Sequence, residues 1–180
     1  MWDPPAEHPL RRLFAGLTEH ALFSHLGVAD PALTDYLSSL LSRFVHFDAV
    51  HRLPGADGRP LTDLVGMVLE ADQLPPGGRT QREFHRHVGD FALFWTGVYP
   101  ESLRRPRGAR DAMVDYTVQG KRSYLLTSRL DADRQPGQAE LFRRLSEQFE
   151  VCAVGLREVR REWEERRPEL PPGTPLTLDP

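Results

Sequence analysis

The sequence has a single cysteine, Cys152, so an intramolecular disulfide and a zinc site built from cysteines are both excluded. Cys152 falls on the apolar face of a predicted helix, where a small buried residue is the usual interpretation. No stretch approaches the ~18 apolar residues that a membrane span requires. The opening segment, MWDPPAEHPL, lacks the basic and then apolar pattern of a signal peptide. We therefore expect a cytoplasmic protein with no membrane partner.

Strong charge of either sign is also missing, since the formal net charge is -3 and the isoelectric point is about 6.2. This balance argues against a protein built wholly to coat nucleic acid. The chain contains no P-loop, no GxGxxG, no GxSxG, no HExxH and no paired CxxC motif. These absences exclude the enzyme classes that sequence motifs detect best. A protein without enzymatic activity is therefore the favoured interpretation. We expect no cofactor.

What the sequence does contain is apolar residues at helical spacing along nearly all of its 180 residues. No alternating strand pattern of useful length is present. The predicted helices cover about 9–26, 31–51, 61–71, 81–98, 109–130 and 139–166. Five of these are long and one is short, which predicts an all-α, single-domain bundle with mostly antiparallel neighbours. The bundle domain is expected over residues 1–167, and the proline-rich tail, 168–180, is expected to be extended or disordered.

The fourth predicted helix carries an unusual segment, FHRHVGDFALFWTGVYPE, over residues 84–101. Helical spacing predicts a core face made of Phe84, Val88, Phe91, Trp95 and Val98. The same spacing predicts that His85 and Arg86 face solvent. It leaves His87 and Asp90 unassigned, with Gly89 between them as a position where a neighbour can approach closely.

Two pairs of possible metal ligands have the same spacing of three residues. Asp48 and His51 share one helix face, and His87 and Asp90 share another. Histidine and carboxylate pairs that face each other across a helical bundle form di-iron sites, and such ligands suit Fe, Mn or Zn. The residue order differs from the usual Glu-x-x-His motif. Further glutamates on the last helix, at 147 and 150, are predicted to point to solvent.

The alternative for these residues is a buried hydrogen-bond network without a metal. An aspartate in a core needs donors, because an unpaired buried charge costs several kcal/mol. Metal-free acid–base catalysis is a third possibility. We consider the network the simplest interpretation.

A second candidate lies in DYTVQGKRSY, where Tyr116, Gly120 and Tyr124 share a helix face. Tyr116, Tyr124 and Lys121 are candidate catalytic residues, since tyrosine and lysine together can transfer protons. The order differs from the familiar Tyr-x-x-x-Lys arrangement. Glycine inside a helix costs about 1 kcal/mol relative to alanine. Close helix packing at Gly120, with tyrosine hydroxyls bonded to neighbours, is therefore the simpler interpretation.

A basic loop provides the third candidate, with arginines at the junction of two predicted helices. An anion could be held there by Arg104, Arg105, Arg107 and Arg110 together with free N–H groups. A solvated loop explains the same run of charge. Aromatic residues are not interleaved with these arginines, so nucleic-acid binding is disfavoured.

The segments HVGDFALFWTGVYPESL and DYTVQGKRSY resemble a recurring pair of segments in bacterial all-α proteins of about this size. In that family, which has no assigned activity, Gly-Asp, Leu-Phe, Gly and Pro-Glu recur in the first segment. Gly-x-x-x-Tyr recurs in the second. The resemblance covers about a quarter of the chain and implies a helical bacterial domain, without any catalytic residue.

Two functional hypotheses follow from these patterns, and a weaker third is anion or nucleic-acid binding through the arginine-rich loop described above. The first is a helical binding or interaction protein that acts as a homo-oligomer or with another protein. It depends on the missing enzyme motifs and on the many aromatic and aliphatic residues. The second is a helical-bundle metalloenzyme or small-ligand enzyme that uses the aspartate and histidine pairs. The identity of any small-molecule ligand stays open.

Overall fold

The computed structural model describes residues 8–44, 53, 61–103 and 109–166, without the side chains of residues 109–114. All regular structure within these ranges is helical, which confirms the predicted all-α class. The α-helices are α1 (Pro9–Glu19), α2 (Pro31–Phe44), α3 (Leu64–Gln73), α4 (Arg79–Gly97), α5 (Ala109–Asp131), α6 (Pro136–Glu147) and α7 (Phe149–Glu165). A π-helix, His20–His25, continues α1, and a 3-10 helix, Pro100–Leu103, follows α4. The predicted tail at 168–180 lies outside the described residues.

Local capping explains where several of these helices begin. Asp30 caps α2 by accepting a hydrogen bond from the Leu33 N–H at 3.2 Å. Asp63 caps α3 in the same way, with the Gly66 N–H 2.8 Å from its Oδ1. Helix α4 begins two residues earlier than the predicted range of 81–98, with Gly78 in the capping position.

The last predicted helix is two helices, and this changes the helix count from six to seven within the described residues. The break is at Gln148, whose backbone has φ -103° and ψ 22°. Neither glycine nor proline marks this position. The two halves have different partners, since α6 packs mainly against α5 whereas α7 packs against α4, α1 and the π-helix. A change of direction at Gln148 lets both halves bury their apolar faces.

Helix α4 lies at the centre of the fold, in contact with α2, α3, α5 and α7. The predicted core positions on α4 are buried or partly buried. His85, which was predicted to face solvent, is only 3% exposed, and Arg86 is partly buried. The prediction was wrong for these two because α4 is covered on several sides rather than one. None of the described helices is long and apolar enough to cross a membrane.

Two glycines allow the central helices to approach each other closely. A Cβ atom on Gly120 would lie 2.5 Å from the Phe149 ring and 2.9 Å from the Ala92 Cβ. A Cβ atom on Gly89 would lie 2.6 Å from the ring of Tyr124. Real Cβ atoms do not approach neighbours this closely, so the predicted tight packing at Gly120 is present, and Gly89 has the same role.

Candidate functional site

The most polar part of the core is centred on Asp90, in the middle of α4. Its side chain is 1% exposed. The Oδ1 atom accepts hydrogen bonds from the Tyr36 hydroxyl at 2.5 Å and the Tyr124 hydroxyl at 2.9 Å. The Oδ2 atom accepts from Nη1 of Arg43 at 2.9 Å. Asp90 therefore connects α2, α4 and α5.

A second guanidinium group completes this arrangement. Nε of Arg86 lies 4.0 Å from Oδ2 of Asp90 and 3.3 Å from the Tyr36 hydroxyl, to which it donates. The guanidinium carbons of Arg43 and Arg86 also lie 5.7 and 5.6 Å from the centre of the Tyr36 ring. We refer to these five residues, Tyr36, Arg43, Arg86, Asp90 and Tyr124, as the Asp90 cluster.

Electrostatics fix the protonation state of each group in the Asp90 cluster. Burial alone would raise the pKa of Asp90, but Arg43, Arg86 and the Tyr36 hydroxyl hold it below its usual value. Burial and the charge of Asp90 raise the pKa of both Tyr36 and Tyr124 above the usual tyrosine value. The cluster is thus one carboxylate, two neutral phenols and two guanidinium groups at neutral pH. Such fixed states suit a structural network better than proton transfer.

The predicted metal ligands are only partly within the described residues. Asp48 and His51 lie outside them. His87 is fully buried, with its ring 5.7 Å from that of Phe44, and Asp90 belongs to the cluster above. The convergence of the two pairs on one metal stays a prediction. The same holds for the anion site, because Arg104, Arg105 and Arg107 lie outside the described residues, as does the side chain of Arg110.

The three candidate catalytic residues on α5 have separate partners. Tyr124 donates to Asp90 in the core. Lys121 lies at the surface, with Nζ 2.7 Å from Oε1 of Glu150. Tyr116 has its ring 6.2 Å from that of Phe91 and borders a surface groove. Catalysis by these residues stays untested.

Sequence reasoning missed Tyr36, Arg43 and Arg86 as partners of Asp90. A signal for two of them was present, because Tyr36 and Arg43 each follow a buried leucine of α2 by three residues. An arginine in phase with core leucines indicates a buried charge that needs a carboxylate. No comparable signal marks Arg86, which was placed on the solvent side by the same helical spacing.

A surface groove lies between α3 and α5 and has a volume of about 410 Å³. Its lining residues are Asp63, Leu64, Val65, Val68, Leu69, Asp115, Tyr116 and Gln119. Val65 and Leu69 are 68% and 58% exposed, and Val118, which precedes the lining residue Gln119 on α5, is 54% exposed. We refer to the groove and these three side chains as the α3–α5 face.

A third group of polar side chains joins the π-helix to α7. His20, His25 and Glu162 each offer one possible ligand atom, and these atoms all lie within 4.8 Å of one another. None of these three residues is among the metal ligands predicted from the sequence. In α-helical spacing, His25 would have been a core position, yet it is exposed.

Cys152 is buried on α7, as predicted, and its surroundings make it unreactive. Burial and the nearby charge of Asp30 raise the pKa of the thiol to about 12. We expect no labelling of the native protein by Ellman's reagent at pH 8, and one labelled thiol per chain in denaturant. Rapid labelling without denaturant would contradict the buried position.

Comparisons with known proteins do not assign this chain to a family. Its function must therefore be argued from its own residues. The resemblance to the bacterial segments stays a prediction. No protein-family model, no curated protein and no solved structure matches the chain.

Proposed function

We propose that the protein is a helical interaction protein that self-associates through the α3–α5 face. The single observation that carries this proposal is that α3 is apolar on both sides over its first part, from Leu64 to Leu69. Leu64, Met67 and Ala71 are buried against the rest of the protein, whereas Val65 and Leu69 project into solvent. A helical segment that is apolar all round is normally covered on all sides. A second protein surface would provide the missing cover.

The charges around the α3–α5 face support a second copy of this chain as the partner. One end of the groove carries Asp63 and Asp115. Beyond the last lining residues of α3 and α5 lies Arg122, with Nη2 3.6 Å from Oδ2 of Asp72 and about half of its side chain exposed. In a two-fold symmetric dimer the same surface meets itself in reverse. The acidic end of one copy would then face the Arg122–Asp72 pair of the other, where Arg122 offers a cation to the two aspartates.

The Asp90 cluster favours binding over catalysis as the activity of this fold. Its carboxylate accepts three hydrogen bonds and is almost completely buried. A general base must reach the proton that it removes from a substrate. The cluster holds α2, α4 and α5 in place, and α4 and α5 in turn support the α3–α5 face.

The oligomeric state of the full chain tests this proposal. We expect sedimentation velocity to give twice the 20.5 kDa chain mass for the wild type. Leu69→Glu should give the mass of one chain, because it would place a carboxylate at the centre of the interface. Phe23→Glu is the matched control, since Phe23 is 64% exposed on the π-helix, outside the α3–α5 face.

Two results would contradict self-association through this face. If the wild-type protein is monomeric at every concentration, then the α3–α5 face does not bind a second copy, and a different protein would have to cover it. A dimer that persists in Leu69→Glu would show that another surface makes the contact. Circular dichroism on each variant confirms that the helices are intact.

A further inference from the structure

We infer that His20, His25 and Glu162 form a binding site for one divalent transition-metal ion, with Zn²⁺ as the best fit. The site lies at the surface between the π-helix and α7. It shares no residue with the predicted metal ligands at 48, 51, 87 and 90, and it does not depend on self-association.

The π-helix itself brings the two histidines together. In an α-helix, residues five positions apart differ by about 140° around the axis, because each residue turns about 100°. A π-helix closes its hydrogen bonds over five residues, so positions i and i+5 come to the same side. His20 and His25 are the first and last residues of this π-helix, and their ring centres are 4.9 Å apart. π-Helical turns are frequent at functional sites.

Glu162 faces this pair of histidines from α7. Its Oε1 atom lies 2.8 Å from Nδ1 of His20 and 3.6 Å from Nε2 of His25. In a tetrahedral zinc site with bonds near 2.0–2.1 Å, ligand atoms are separated by ~3.3 Å. These two separations bracket this value, and the ligand nitrogens of His20 and His25 lie within 4.8 Å of each other, so an ion requires a movement of the His20 ring. Because the His20 side chain is 51% exposed, it is able to make that movement.

The surroundings orient the ligands as metal sites require. Oε2 of Glu158 lies 4.0 Å from Nδ1 of His25, where a small movement would let it accept a hydrogen bond from this nitrogen and leave Nε2 to bind the metal. Nη2 of Arg166 lies 3.5 Å from Oε2 of Glu162 and leaves Oε1 directed at the histidines. Two histidines and one glutamate are a zinc ligand set that leaves the fourth position to water.

Metal binding would connect parts of the chain that are far apart in sequence. His20 and Glu162 are separated by 142 residues. An ion that binds only the folded protein stabilises it according to its concentration relative to the Kd. The site would therefore fasten the first helical segment to the last α-helix.

Titration calorimetry of the full chain with ZnCl2 tests the inference, using protein without a histidine tag and after treatment with a chelator. We expect one equivalent to bind with a micromolar or tighter Kd. At free zinc near 100 times the Kd, the Tm should rise by about 5–10 °C. Co²⁺ should give the visible absorption bands of a tetrahedral site.

Variants locate the site. His20→Gln, His25→Gln and Glu162→Gln should each weaken zinc binding by more than about 100-fold, and Glu158→Gln by about tenfold. The rise in Tm should disappear in the three ligand variants. If Glu162→Gln fails to fold, the two histidine variants decide the question, because both histidines are exposed.

Matched controls are His8→Gln, which lies ahead of α1, and Glu165→Gln, which is exposed on α7. Both should bind zinc as the wild type does. Binding weaker than about 0.1 mM, or unchanged binding in both histidine variants, would overturn the inference.

Discussion

Replacing Asp90 with asparagine should lower the free energy of unfolding by about 3–5 kcal/mol. The change keeps the shape of the side chain but removes its charge. Arg43, which is 2% exposed, would then keep a buried positive charge without its carboxylate partner. Since small proteins are stable by about 5–15 kcal/mol, this is a large fraction of the total. Urea unfolding followed by circular dichroism, at one fixed protein concentration, measures the effect.

Asp35→Asn is the matched control for this change, because Asp35 is an exposed aspartate on α2. It should alter the free energy of unfolding by less than about 0.5 kcal/mol. Tyr124→Phe should cost about 1.5–3 kcal/mol, as it removes one hydrogen bond to a charged group. Tyr36→Phe should cost at least as much, because it removes the bond to Asp90 and the bond from Arg86. A cost below about 1 kcal/mol for Asp90→Asn would show that the Asp90 cluster contributes little.

The same carboxylate should make stability depend on acid. Because the pKa of Asp90 is lower in the folded protein than its usual value of 3.8, its ionisation stabilises the fold above that value. This contribution is lost as the pH falls through the lowered pKa. In Asp90→Asn, the free energy of unfolding should therefore fall less steeply below pH ~4 than in the wild type.

Gly89→Ala should also destabilise the protein, by about 1–3 kcal/mol. The new methyl group would lie 2.6 Å from two ring carbons of Tyr124. Tyr124 has little room to retreat, because its hydroxyl is bound to Asp90 and its ring packs against that of Phe142, with 5.9 Å between the ring centres. The steric cost should exceed the ~1 kcal/mol that alanine gains over glycine in a helix.

Gly16→Ala is the control for this prediction and should have the opposite sign. Gly16 is exposed in α1, and a Cβ atom there meets nothing within 4 Å. We expect a gain in stability of up to about 1 kcal/mol from helix propensity alone. Urea unfolding of both variants provides the comparison. If Gly89→Ala were as stable as Gly16→Ala, the close approach of α4 and α5 would be refuted.

The position of most helices follows from the sequence, because apolar spacing and capping residues such as Asp30 are local signals. The break at Gln148 does not, since the apolar spacing continues from α6 into α7. Whether the helix breaks at Gln148 depends on which helices pack against α6 and which pack against α7. The π-helix at 20–25 escaped prediction for a related reason, because α-helical spacing separates the two histidines that it unites.

The sequence predicts that Asp90 has hydrogen-bond donors around it, but it does not identify the residues that provide them. A buried aspartate requires donors, and that requirement is visible at position 90. Which donors meet it depends on how α2 and α5 are arranged around α4. The α3–α5 face is similar, because the apolar character of Val65 and Leu69 is local, whereas their exposure depends on the complete fold.

The hydrogen bonds of Asp90 have a consequence for the order of events during folding. They connect it to Tyr36, Arg43 and Tyr124, at separations of 54, 47 and 34 residues along the chain. Closing loops of this size costs conformational entropy, and this cost is offset only after the contacts of Asp90 have formed. Burying the carboxylate before Arg43 arrives would also be unfavourable. No two of these helices can reach their final state without the third, so α2, α4 and α5 should form a single cooperative unit.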